Sequence, residues 1–528
     1  MHSTRDRKTL LGTLEGTHWD LVVIGGGITG IGVLREAARR GLRVLLVEQR
    51  DYAWGTSSRS SKMVHGGLRY IAQGDIKLTR DALHERERLL REAPFLIERM
   101  GYWFGHRKGK FPGPTSFGIL CAVYDFLAGI KDHRFVDRDE VLRTFPGFDG
   151  RDLVGSTRYT DSIVDDARLV LRVLDEALAD GGVAINYAKV SRIVRDAKSV
   201  RGCVVEDRET GKEYSVKAAC VVNATGAWAD RLRKEITGES KVRPLRGSHL
   251  VFASERLPVA EAIVFQHADD KRPVFIFPWE GRTVVGTTDL DHREELDVEA
   301  SISEKEVDYL LRGANAQFPK AHLAATDVIS SWSGIRPVVA SGKGLDPSQE
   351  RRDHVVWDDH GLVTVTGGKL TTFRLIALDV LAACARHVPS LDAKDTGGHV
   401  FRAADTSSGK ELPAEVRGRL LGRFGFLFRD LVGAAKEGEL VPIEDTDTTW
   451  AELRFGARAE QVVHLDDLLL RRTRLGNLLP KGGAAHEARL RAICQEELRW
   501  DDATWRKEWE RYQGIIRDFY SLPARTRA

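Results

Sequence analysis

Residues 20–30 read DLVVIGGGITG, an apolar run followed at once by a glycine-rich turn. The apolar run is typical of a strand that is buried on both faces. A helix-period stretch follows and ends at the basic residues and glycine of positions 39–41. Residues 43–47, which read RVLLV, then predict a second buried strand that leads into an acid at position 48. This order of strand, glycine turn, helix and strand is that of a βαβ dinucleotide-binding unit.

The glycine turn carries the G-x-G-x-x-G fingerprint, which permits a tight turn and a close approach of the backbone to a pyrophosphate. The helix that begins directly after it offers free N–H groups to the anion. The acid at position 48 favours an unphosphorylated ribose, as in FAD or NAD, over NADP. A bare glycine turn is the alternative. The cofactor contacts predicted in this unit are Gly25, Gly27, Ile28, Thr29, Gly30 and Glu48.

Two segments rich in glycine and small hydroxyl residues follow, GTSSRSSK at 55–62 and HGGLRY at 65–70. They suit a chain that wraps closely around a large cofactor, whereas a flexible loop is the alternative. These segments resemble the signature of the FAD-dependent glycerol-3-phosphate dehydrogenases, and the lack of a calcium-loop pattern favours the aerobic bacterial type. Five later segments resemble the same family in the same order: VDDARL at 164–169, NATG at 223–226, RGSH at 246–249, GTTD at 286–289, and GIRP at 334–337 with GGKLTT at 367–372. The resemblance covers roughly residues 19–386.

The resemblance implies an α/β fold with a Rossmann-like FAD-binding domain of the glutathione-reductase and amino-acid-oxidase type. Alternation over 241–327 predicts an antiparallel-sheet substrate cap, and the charged, helix-period pattern from 411 onward predicts a C-terminal helical domain. We therefore expect a discontinuous FAD-binding domain at 18–75, 160–240 and 328–392, a cap at 76–159 and 241–327, and the helical domain at 400–522.

The resemblance also implies a reaction, the oxidation of sn-glycerol 3-phosphate to dihydroxyacetone phosphate with FAD as cofactor. Hydride leaves C2 of the substrate for N5 of the flavin while a base takes the proton of the C2 hydroxyl. A membrane quinone then accepts the electrons. The chain must supply a clamp for the phosphate dianion, a base, and positive charge near the reduced flavin.

For the dianion clamp, the matching segments offer cationic residues that are flanked by glycine or turn residues. Arginine suits bidentate contact with phosphate oxygens, and lysine adds a point charge. The alternative role for each arginine is a surface salt bridge, most of all for Arg272 in its charged run. The predicted substrate-binding residues are Arg69, Tyr70, Arg272, Arg336, Lys369 and Thr371.

The predicted catalytic residues are His249, Arg336 and Lys369. His249 is the candidate base because an ordinary histidine pKa of ~6.5 suits proton abstraction near neutrality. A structural histidine bonded to the backbone is the alternative, with Arg336 stabilising an alkoxide while water takes the proton. Lys369 has two possible roles, in the dianion clamp and beside N1 and O2 of the reduced flavin.

The segments after the glycine turn supply further predicted contacts with FAD. In glutathione-reductase-like flavoproteins an A-T-G at a strand end packs on the cofactor, and residues 224–226 read ATG. The further cofactor-binding residues that the resemblance implies are Thr56, Ser57, Ser61, His65, Gly66, Gly67, Leu68, Ala224, Thr225, Gly226, Asp289, Gly368, Lys369, Leu370 and Thr371.

The composition limits the other classes of function. A formal net charge of +3 in a chain of 528 residues with 80 basic and 77 acidic side chains implies no binding of nucleic acid. The five cysteines are scattered without a C-x-x-C, which argues for a reducing compartment and against a disulfide framework, a zinc site or an iron–sulfur cluster. We therefore expect no metal.

The membrane relationship is predicted to be peripheral. No apolar run reaches the ~18–20 residues of a membrane span, and residues 1–17 lack the apolar core of a secretory signal. Residues 102–114 combine aromatic and basic side chains, and 117–130 are more apolar, a composition that can seat a protein on an anionic membrane. An ordinary domain surface is the alternative. We expect a cytoplasmic enzyme on the inner face of the cell membrane, and a homodimer is left open.

Three other functions fit parts of the pattern. A glycerophosphate oxidase would use O2 as acceptor, although the long insertion of those oxidases is not obvious here. An amino-acid or N-methyl-amine oxidase would need only one arginine for a carboxylate, whereas this chain offers several cations. A flavin-binding assembly protein without turnover would not need the candidate clamp and base.

Overall fold

The computed structural model describes residues 7–72, 74–197, 199–340 and 353–524, and describes only the backbone of Arg69 and Ala72. These residues form two large β-sheets and a helical C-terminal region. The strands are β1 (His18–Ile24), β2 (Val44–Val47), β3 (Met63–Val64), β4 (Ile97–Arg107), β5 (Arg134–Asp137), β6 (Leu153–Val164), β7 (Val183–Ile185), β8 (Ala188–Arg195), β9 (Val200–Asp207), β10 (Glu213–Asn223), β11 (Val242–Ala253), β12 (Ala262–Gln266), β13 (Pro273–Trp279), β14 (Arg282–Gly286), β15 (Leu290–Asp291), β16 (Val328–Val339), β17 (Val355–Asp359) and β18 (Leu362–Thr366). The α-helices are α1 (Arg7–Gly12), α2 (Ile28–Ala38), α3 (Leu68–Ala72), α4 (Ile76–Glu92), α5 (Pro114–Ala128), α6 (Arg138–Thr144), α7 (Asp166–Ala179), α8 (Ala229–Thr237), α9 (Glu304–Gln317), α10 (Phe373–Cys384), α11 (Ala414–Phe424), α12 (Phe428–Ala434), α13 (Trp450–Ala459), α14 (Leu465–Asp467), α15 (Leu475–Leu478), α16 (Glu487–Leu498) and α17 (Asp502–Ile515).

The first sheet is the nucleotide-binding sheet expected from residues 20–48. Its strand order is β17-β18-β10-β1-β2-β7, with β9 paired to β10 and β8 to β9. The five strands β18, β10, β1, β2 and β7 run parallel, and every residue of β2 is buried. Helices α2, α7 and α10 share one apolar core with this sheet. Helices therefore cover one face of the sheet, and the other face packs against α1 and the strands β8 and β9, so that both faces of the apolar strands are buried.

The second sheet forms the cap and is almost entirely antiparallel. Its order is β15-β11-β14-β13-β12-β4-β6-β3, with β16 paired to β11 and β5 to β6. Among the described strands of this second sheet, only the pair of β12 with β4 is parallel. Helix α9 packs over β11 and β14 and begins with a capping box of Ser303 and Glu306. The antiparallel alternation in the sequence therefore predicts the character of this sheet correctly.

The division between the two sheets differs from the one expected at residue 328. Residues 328–339 form β16, which pairs with β11 from Val339 opposite Val242 to Val328 opposite Phe252. The strands β3 and β6 also belong to the cap sheet. Residues 63–64 and 160–164, which were expected in the FAD-binding domain, therefore lie in the cap sheet. Pairing between strands so distant in the chain leaves no periodic signal in a single sequence, and this is why the pattern placed these residues in the FAD-binding domain.

The C-terminal region is helical, as the charged pattern after 411 predicts. Its core is continuous with that of the cap sheet, because Trp505 and Leu468 belong to the same buried cluster as Val284 and Trp332. Trp450 and Trp505 are buried, whereas Trp500 and Trp509 pack at the edge of the cluster. The helices of this region thus pack against the cap sheet as well as against one another.

Buried ion pairs also join the C-terminal region to the first sheet's loops. Arg471 and Arg472 both form ion pairs with Asp51, and Arg474 forms one with Asp166 at 2.6 Å. All five side chains are almost fully buried. Removing one partner of such a pair leaves an uncompensated buried charge and typically costs ~3–5 kcal/mol. The loops that lead into the nucleotide site are therefore held by residues more than three hundred positions later in the chain.

Candidate active site

A cavity of about 420 Å³ lies at the carboxyl ends of β1, β2, β10 and β18. This is the edge at which open parallel sheets bind nucleotides. The predicted cofactor residues that line it are Gly25, Gly27, Ile28, Thr29, Glu48, Thr56, Ser57, Ala224, Thr225, Gly226, Gly368, Lys369 and Leu370. The structure thus brings three separate sequence segments to one edge of the sheet.

The glycine turn is fitted so tightly that two of its positions exclude a side chain. Gly25 has a φ of +112°, and a Cβ there would lie 2.6 Å from the carbonyl oxygen of Ala224. A Cβ on Gly30 would overlap the carbonyl oxygen of Gly25, so helix and strand can approach only through glycine. The helix α2 begins directly after Gly27, and the Ile28 amide donates to Ser57 Oγ at 3.0 Å. This end of α2 suits the pyrophosphate of a dinucleotide.

Glu48 lies at the end of β2, where an acid that binds the ribose is expected. Its carboxylate accepts hydrogen bonds from the Gly26 amide at 2.6 Å and the Arg50 amide at 2.8 Å. Burial raises the pKa of Glu48, and these two backbone hydrogen bonds oppose that effect. The side chain therefore also anchors the glycine turn to the end of β2, a role that the sequence did not indicate.

A second cavity, of about 670 Å³, continues from the first between the two sheets. Residues such as Thr56, Ser60 and Lys369 line both cavities, which therefore form one continuous site. The predicted residues that line the second cavity are Ser61, His65, Gly67, Leu68, Tyr70, Arg272, Asp289, Arg336, Gly368, Lys369, Leu370 and Thr371. One wall carries cationic side chains, and an arm of the cavity is apolar, lined by Tyr102, Phe104, Phe117, Leu120, Tyr159 and Phe275.

Three residues on the cationic wall form an arginine–aspartate cluster, Arg272, Asp289 and Arg336. Arg336 Nη1 donates to Asp289 Oδ1 at 2.9 Å, and Arg272 forms an ion pair with the same carboxylate. Arg272 Nη1 also donates to the Asp289 carbonyl oxygen at 2.7 Å. Asp289 is buried, whereas the two arginine side chains keep about a fifth of their surface accessible at the cavity. Asp289 therefore orients two arginines, whereas the resemblance implied a contact with the cofactor.

Lys369 adds a further positive charge to the same cavity. Its ammonium nitrogen lies 3.7 Å from the centroid of the Tyr70 ring and 3.4 Å from the carbonyl oxygen of Gly66. Gly67 has a φ of +83°, and a side chain there would overlap the Tyr70 ring. Thr371 Oγ1 donates to the His65 carbonyl oxygen at 3.4 Å, which ties the GGKLTT segment to the HGGLRY segment.

His249 lies behind the cavity wall. Its side chain is buried and stacks on Trp332 with ring centroids 4.9 Å apart. Its Nε2 lies 2.9 Å from Ser61 Oγ, and Ser61, but not His249, is among the described residues that line the cavity. Burial and the charges of Arg336 and Lys62 hold the pKa of His249 well below its ordinary value. The candidate base is therefore neutral and separated from the cavity by a hydroxyl group, which the sequence could not indicate.

Besides His249, three of the predicted residues are not placed on the cavity walls by the described structure: Gly30, which lies in α2 against the Gly25 carbonyl oxygen, Gly66 and Arg69. The Gly66 amide donates to Tyr124 Oη at 2.8 Å, and a Cβ on Gly66 would overlap Leu83, so this glycine permits close packing against α4 and α5. The side chain of Arg69 lies outside the described part of the chain, so its predicted contact with substrate stays a prediction.

A buried group of charges lies beside the flavin segment, residues 55–62, and the sequence did not indicate this group. Lys62 Nζ donates to Asp166 at 2.9 Å and to the Ser58 carbonyl oxygen at 2.7 Å, and Arg474 Nη2 donates to the same two residues. The Ser60 amide and hydroxyl also donate to Asp166. Burial and the charge of Arg474 lower the pKa of Lys62 to about 7. Lys62 and Asp166 lie in the segments that resemble the family, whereas nothing in the sequence pointed to Arg474.

The described residues contain no cluster of three or more His, Cys, Asp or Glu side chains that could hold a metal ion. The features that suit a cofactor are those of a dinucleotide site: two positions that admit only glycine, a helix N-terminus and a buried acid.

Two family models match the chain. The family described as FAD dependent oxidoreductase matches residues 20–374, and the C-terminal domain of alpha-glycerophosphate oxidase matches residues 391–505. Among solved structures, the glycerol-3-phosphate dehydrogenase from Bacillus halodurans, complexed with FAD, superposes with a TM-score of 0.77 at 27% identity and covers 98% of this chain and 97% of that one. The L-alpha-glycerophosphate oxidase from Mycoplasma pneumoniae shares the fold, with a TM-score of 0.57 at 17% identity over 73% of this chain and 98% of that one.

Curated relatives indicate which branch of the family the chain belongs to. The aerobic glycerol-3-phosphate dehydrogenase of Bacillus subtilis (strain 168) is 34% identical over 466 residues, which cover 87% of this chain and 82% of that protein. The protein of the same name from Staphylococcus haemolyticus is 32% identical over 500 residues and 89% of each chain. The chain therefore belongs to the FAD-dependent oxidoreductases, in their branch of glycerol-3-phosphate dehydrogenases and oxidases, and its cofactor is FAD.

Proposed function

We propose that this protein oxidises sn-glycerol 3-phosphate to dihydroxyacetone phosphate and passes the electrons to a membrane quinone. The observation that carries the proposal is the arginine–aspartate cluster, which lies on a cavity continuous with the nucleotide cavity. Two arginines with a fixed orientation match a phosphate group better than a lone cation does, because guanidinium groups can contact two phosphate oxygens at once. Lys369 adds a third positive charge that lines the same cavity.

In this proposal the phosphate binds at Arg336 and Lys369, with Arg272 beside them. The bound FAD supplies the acceptor for the C2 hydride. Arg336 then has a second effect, since its charge also favours an oxyanion at C2 as the hydroxyl loses its proton. An amino-acid or N-methyl-amine oxidase would need only one cation for its carboxylate, and the additional cations argue for the phosphate substrate.

The quinone is proposed as the acceptor because of the apolar arm of the second cavity. Its aromatic walls suit a flat, apolar ring better than they suit a sugar phosphate. Phe111, which is 82% exposed, lines this arm and also faces solvent, so the arm reaches the protein surface there. Oxygen as the acceptor, as in a glycerophosphate oxidase, is the second candidate and needs no such arm.

The surface around the arm supports binding to the inner face of the cell membrane. Ile119, Val123 and Phe126 form one exposed stripe on α5, at spacings of four and three residues. The neighbouring elements add exposed Phe111 and Phe135, and Lys108 and Lys110 precede α5 in the chain. An apolar stripe beside basic residues is typical of a protein that binds an anionic membrane surface. None of the helices in the described residues has the length and hydropathy of a membrane span.

The test uses the purified, FAD-loaded protein without oxygen. Addition of sn-glycerol 3-phosphate should bleach the flavin band at about 450 nm as hydride enters the ring, and glycerol should not. Absence of bleaching would contradict the proposal and favour an amine substrate or a flavin-binding protein without turnover. The acceptor is tested next, in air with a soluble quinone present. Reduction of the quinone with little hydrogen peroxide supports the dehydrogenase, whereas peroxide equal to the substrate consumed supports the oxidase.

A further inference from the structure

Among the described residues, the imidazole of His249 makes its only side-chain hydrogen bond with Ser61. The imidazole is enclosed by Trp332 on one face, and a Cβ on Gly286 would overlap the ring from another direction. Nδ1 is buried and has no hydrogen-bond partner among the described residues. Nε2 meets Ser61 Oγ at 2.9 Å, and Ser61 in turn lines the second cavity. Any proton that reaches His249 from a molecule in the cavity therefore has a single polar route.

We propose that Ser61 is a catalytic residue that carries the proton of the substrate's C2 hydroxyl to His249. This inference rests on the proposed oxidation of sn-glycerol 3-phosphate. Two residues that the resemblance assigned to separate roles, one to the cofactor and one to the base, then act as a single unit.

The relay balances as follows. The C2 hydroxyl gives its proton to Ser61 Oγ while the Ser61 hydroxyl gives its own proton to Nε2 of His249, which requires the tautomer protonated at Nδ1. The C2–H bond breaks and its hydride, with the electron pair, goes to FAD. The products are dihydroxyacetone phosphate, the two-electron-reduced flavin and an imidazolium on His249. Ser61 ends the cycle as a neutral hydroxyl, so its own high pKa is no obstacle.

The charges around His249 link proton transfer to occupation of the site. Arg336, on β16, and Lys62, in the segment before β3, are the charged residues that lower the pKa of the imidazole, and both act in addition to burial. A phosphate dianion bound at Arg336 would offset that positive charge and raise the affinity of His249 for a proton. The base would then accept a proton chiefly when substrate is bound.

The structural support for a relay is the position of Lys62. Its ammonium lies 4.7 Å from the Trp332 ring centroid, and among the described residues it donates to Asp166 and to the Ser58 carbonyl oxygen and not to Ser61. Ser61 Oγ is therefore free to cycle between the substrate hydroxyl and the imidazole.

The experiment compares Ser61→Ala with the wild-type protein in the anaerobic reaction, by stopped-flow at about 450 nm. We expect the rate of flavin reduction by sn-glycerol 3-phosphate to fall by ~10²-fold or more, the usual effect of removing a proton-transfer group. Ser61→Thr keeps a hydroxyl and should recover at least a tenth of the lost rate. The dissociation constant of FAD from the apoprotein, measured by flavin fluorescence, should change less than threefold in both variants.

A double-variant comparison tests whether the two residues act as a unit. His249→Ala should slow the reaction as much as Ser61→Ala, and the protein with both changes should be no slower than either. Multiplication of the two effects would overturn the relay. A change of less than fivefold for Ser61→Ala would overturn it too, as would a loss of FAD binding that accounts for the whole effect.

The matched control is Ser254→Ala. Ser254 follows the strand that carries His249, and its hydroxyl donates to the Gly281 carbonyl oxygen at 2.8 Å, away from the cavity. We expect this change to leave the rate of flavin reduction within twofold. Failure of the proposed function is distinguishable, because the wild-type flavin would then not be reduced at all by sn-glycerol 3-phosphate.

A second readout does not depend on turnover. With 15N-labelled histidine, the signal that disappears in His249→Gln identifies His249, and its titration can be followed with pH. Dihydroxyacetone phosphate should raise the pKa of this histidine in the wild-type protein. In Ser61→Ala the nitrogen shift of Nε2 should move in the direction of a lost hydrogen bond. An unchanged shift would contradict the contact on which the relay depends.

Discussion

The ammonium nitrogen of Lys369 lies 3.7 Å from the centroid of the Tyr70 ring, although the two residues are almost three hundred positions apart. Tyr70 lies in the short helix α3, and Lys369 follows β18, a strand of the nucleotide-binding sheet. The Tyr70 ring covers one side of the ammonium group, and the ammonium group donates a hydrogen bond to the Gly66 carbonyl oxygen. The contact thus fixes the direction in which a flexible lysine presents its charge to the cavity.

Replacing Tyr70 should separate the ring from its hydroxyl. Tyr70→Phe keeps the ring and should leave KM for sn-glycerol 3-phosphate within about threefold, whereas Tyr70→Leu removes a cation–π contact worth ~0.5–2 kcal/mol. We therefore expect KM to rise by roughly 2- to 30-fold for the leucine variant only. Steady-state kinetics with a soluble quinone provide the measurement. An equal loss in both variants would show that the hydroxyl, and not the ring, is what matters.

Asp289→Asn should disturb the arginine–aspartate cluster while conserving the size of the side chain. The arginines would lose a charge-assisted acceptor worth ~1.5–3 kcal/mol each. We expect KM for sn-glycerol 3-phosphate to rise about tenfold or more with a smaller change in kcat, because the arginines would be less well oriented. Binding of FAD, measured by fluorescence on the apoprotein, should stay the same. Weaker FAD binding would instead support the contact with the cofactor that the resemblance implied.

Arg474→Met should weaken both the fold and the flavin site. It leaves the buried carboxylate of Asp166 with fewer partners, and breaking a buried pair costs ~3–5 kcal/mol. Because Asp166 also holds Ser60 and Lys62, we expect the dissociation constant of FAD to rise as well. Urea unfolding and flavin fluorescence measure the two effects.

The control for that change is Arg491→Met, which removes an exposed arginine paired with Asp502. Exposed pairs contribute ~0–1 kcal/mol, so stability and FAD binding should barely change. If Arg474→Met and Arg491→Met had the same effects on stability and on FAD binding, the contact of Arg474 would not stabilise the flavin segment.

The stability of the protein should decrease as the pH rises from neutral to alkaline values, because of His464. Burial lowers the pKa of this histidine, but the hydrogen bonds that its ring donates to the carboxylates of Glu209 and Glu508 outweigh burial and raise the pKa from 6.5 to about 10. A folded-state pKa above the unfolded one means that the native state binds the proton more tightly. The contribution is complete below pH 6.5 and is lost as the pH approaches about 10.

His464→Gln should remove that part of the pH dependence. The comparison is the free energy of unfolding in urea at several pH values between 6.5 and 10, for the wild-type and the variant proteins. The wild-type curve should fall more steeply than that of the variant. Parallel curves would show that the imidazole does not gain its proton from the two carboxylates on folding.

The exposed stripe on α5 should govern attachment to membranes. Replacing Phe126 and Ile119 by serine removes the burial of two large apolar side chains, worth ~1.5–3 kcal/mol each if fully inserted. We expect binding to vesicles that contain anionic lipid to weaken by at least tenfold in co-sedimentation. Val441→Ser, at an exposed apolar residue of the C-terminal region, is the control and should have no effect. Unchanged binding by the α5 variant would place the membrane contact elsewhere.

The βαβ unit beside the first cavity could be predicted from the sequence. A strand, a glycine turn, a helix and an acid lie within thirty residues, and each follows from local rules of backbone conformation and periodicity. The resemblance to a family then pointed to Arg336 and Lys369, and the charged run at 269–272 added Arg272; the fold brings all three to one cavity. The orientation of the arginines depends on Asp289, and no local rule relates a carboxylate to an arginine 47 positions away.

What the sequence by itself determined is the βαβ unit, the helical end of the chain and the residue types available for catalysis. Only the tertiary structure decided that β16 joins the cap sheet, that Arg474 reaches the flavin segment, and that Ser61 stands between His249 and the cavity. The physical reason is that hydrophobic periodicity records which face of an element is buried. Which distant elements meet decides the strand pairing, the buried ion pairs and the enclosure of a histidine. Contacts between distant elements leave no periodic pattern in a single sequence.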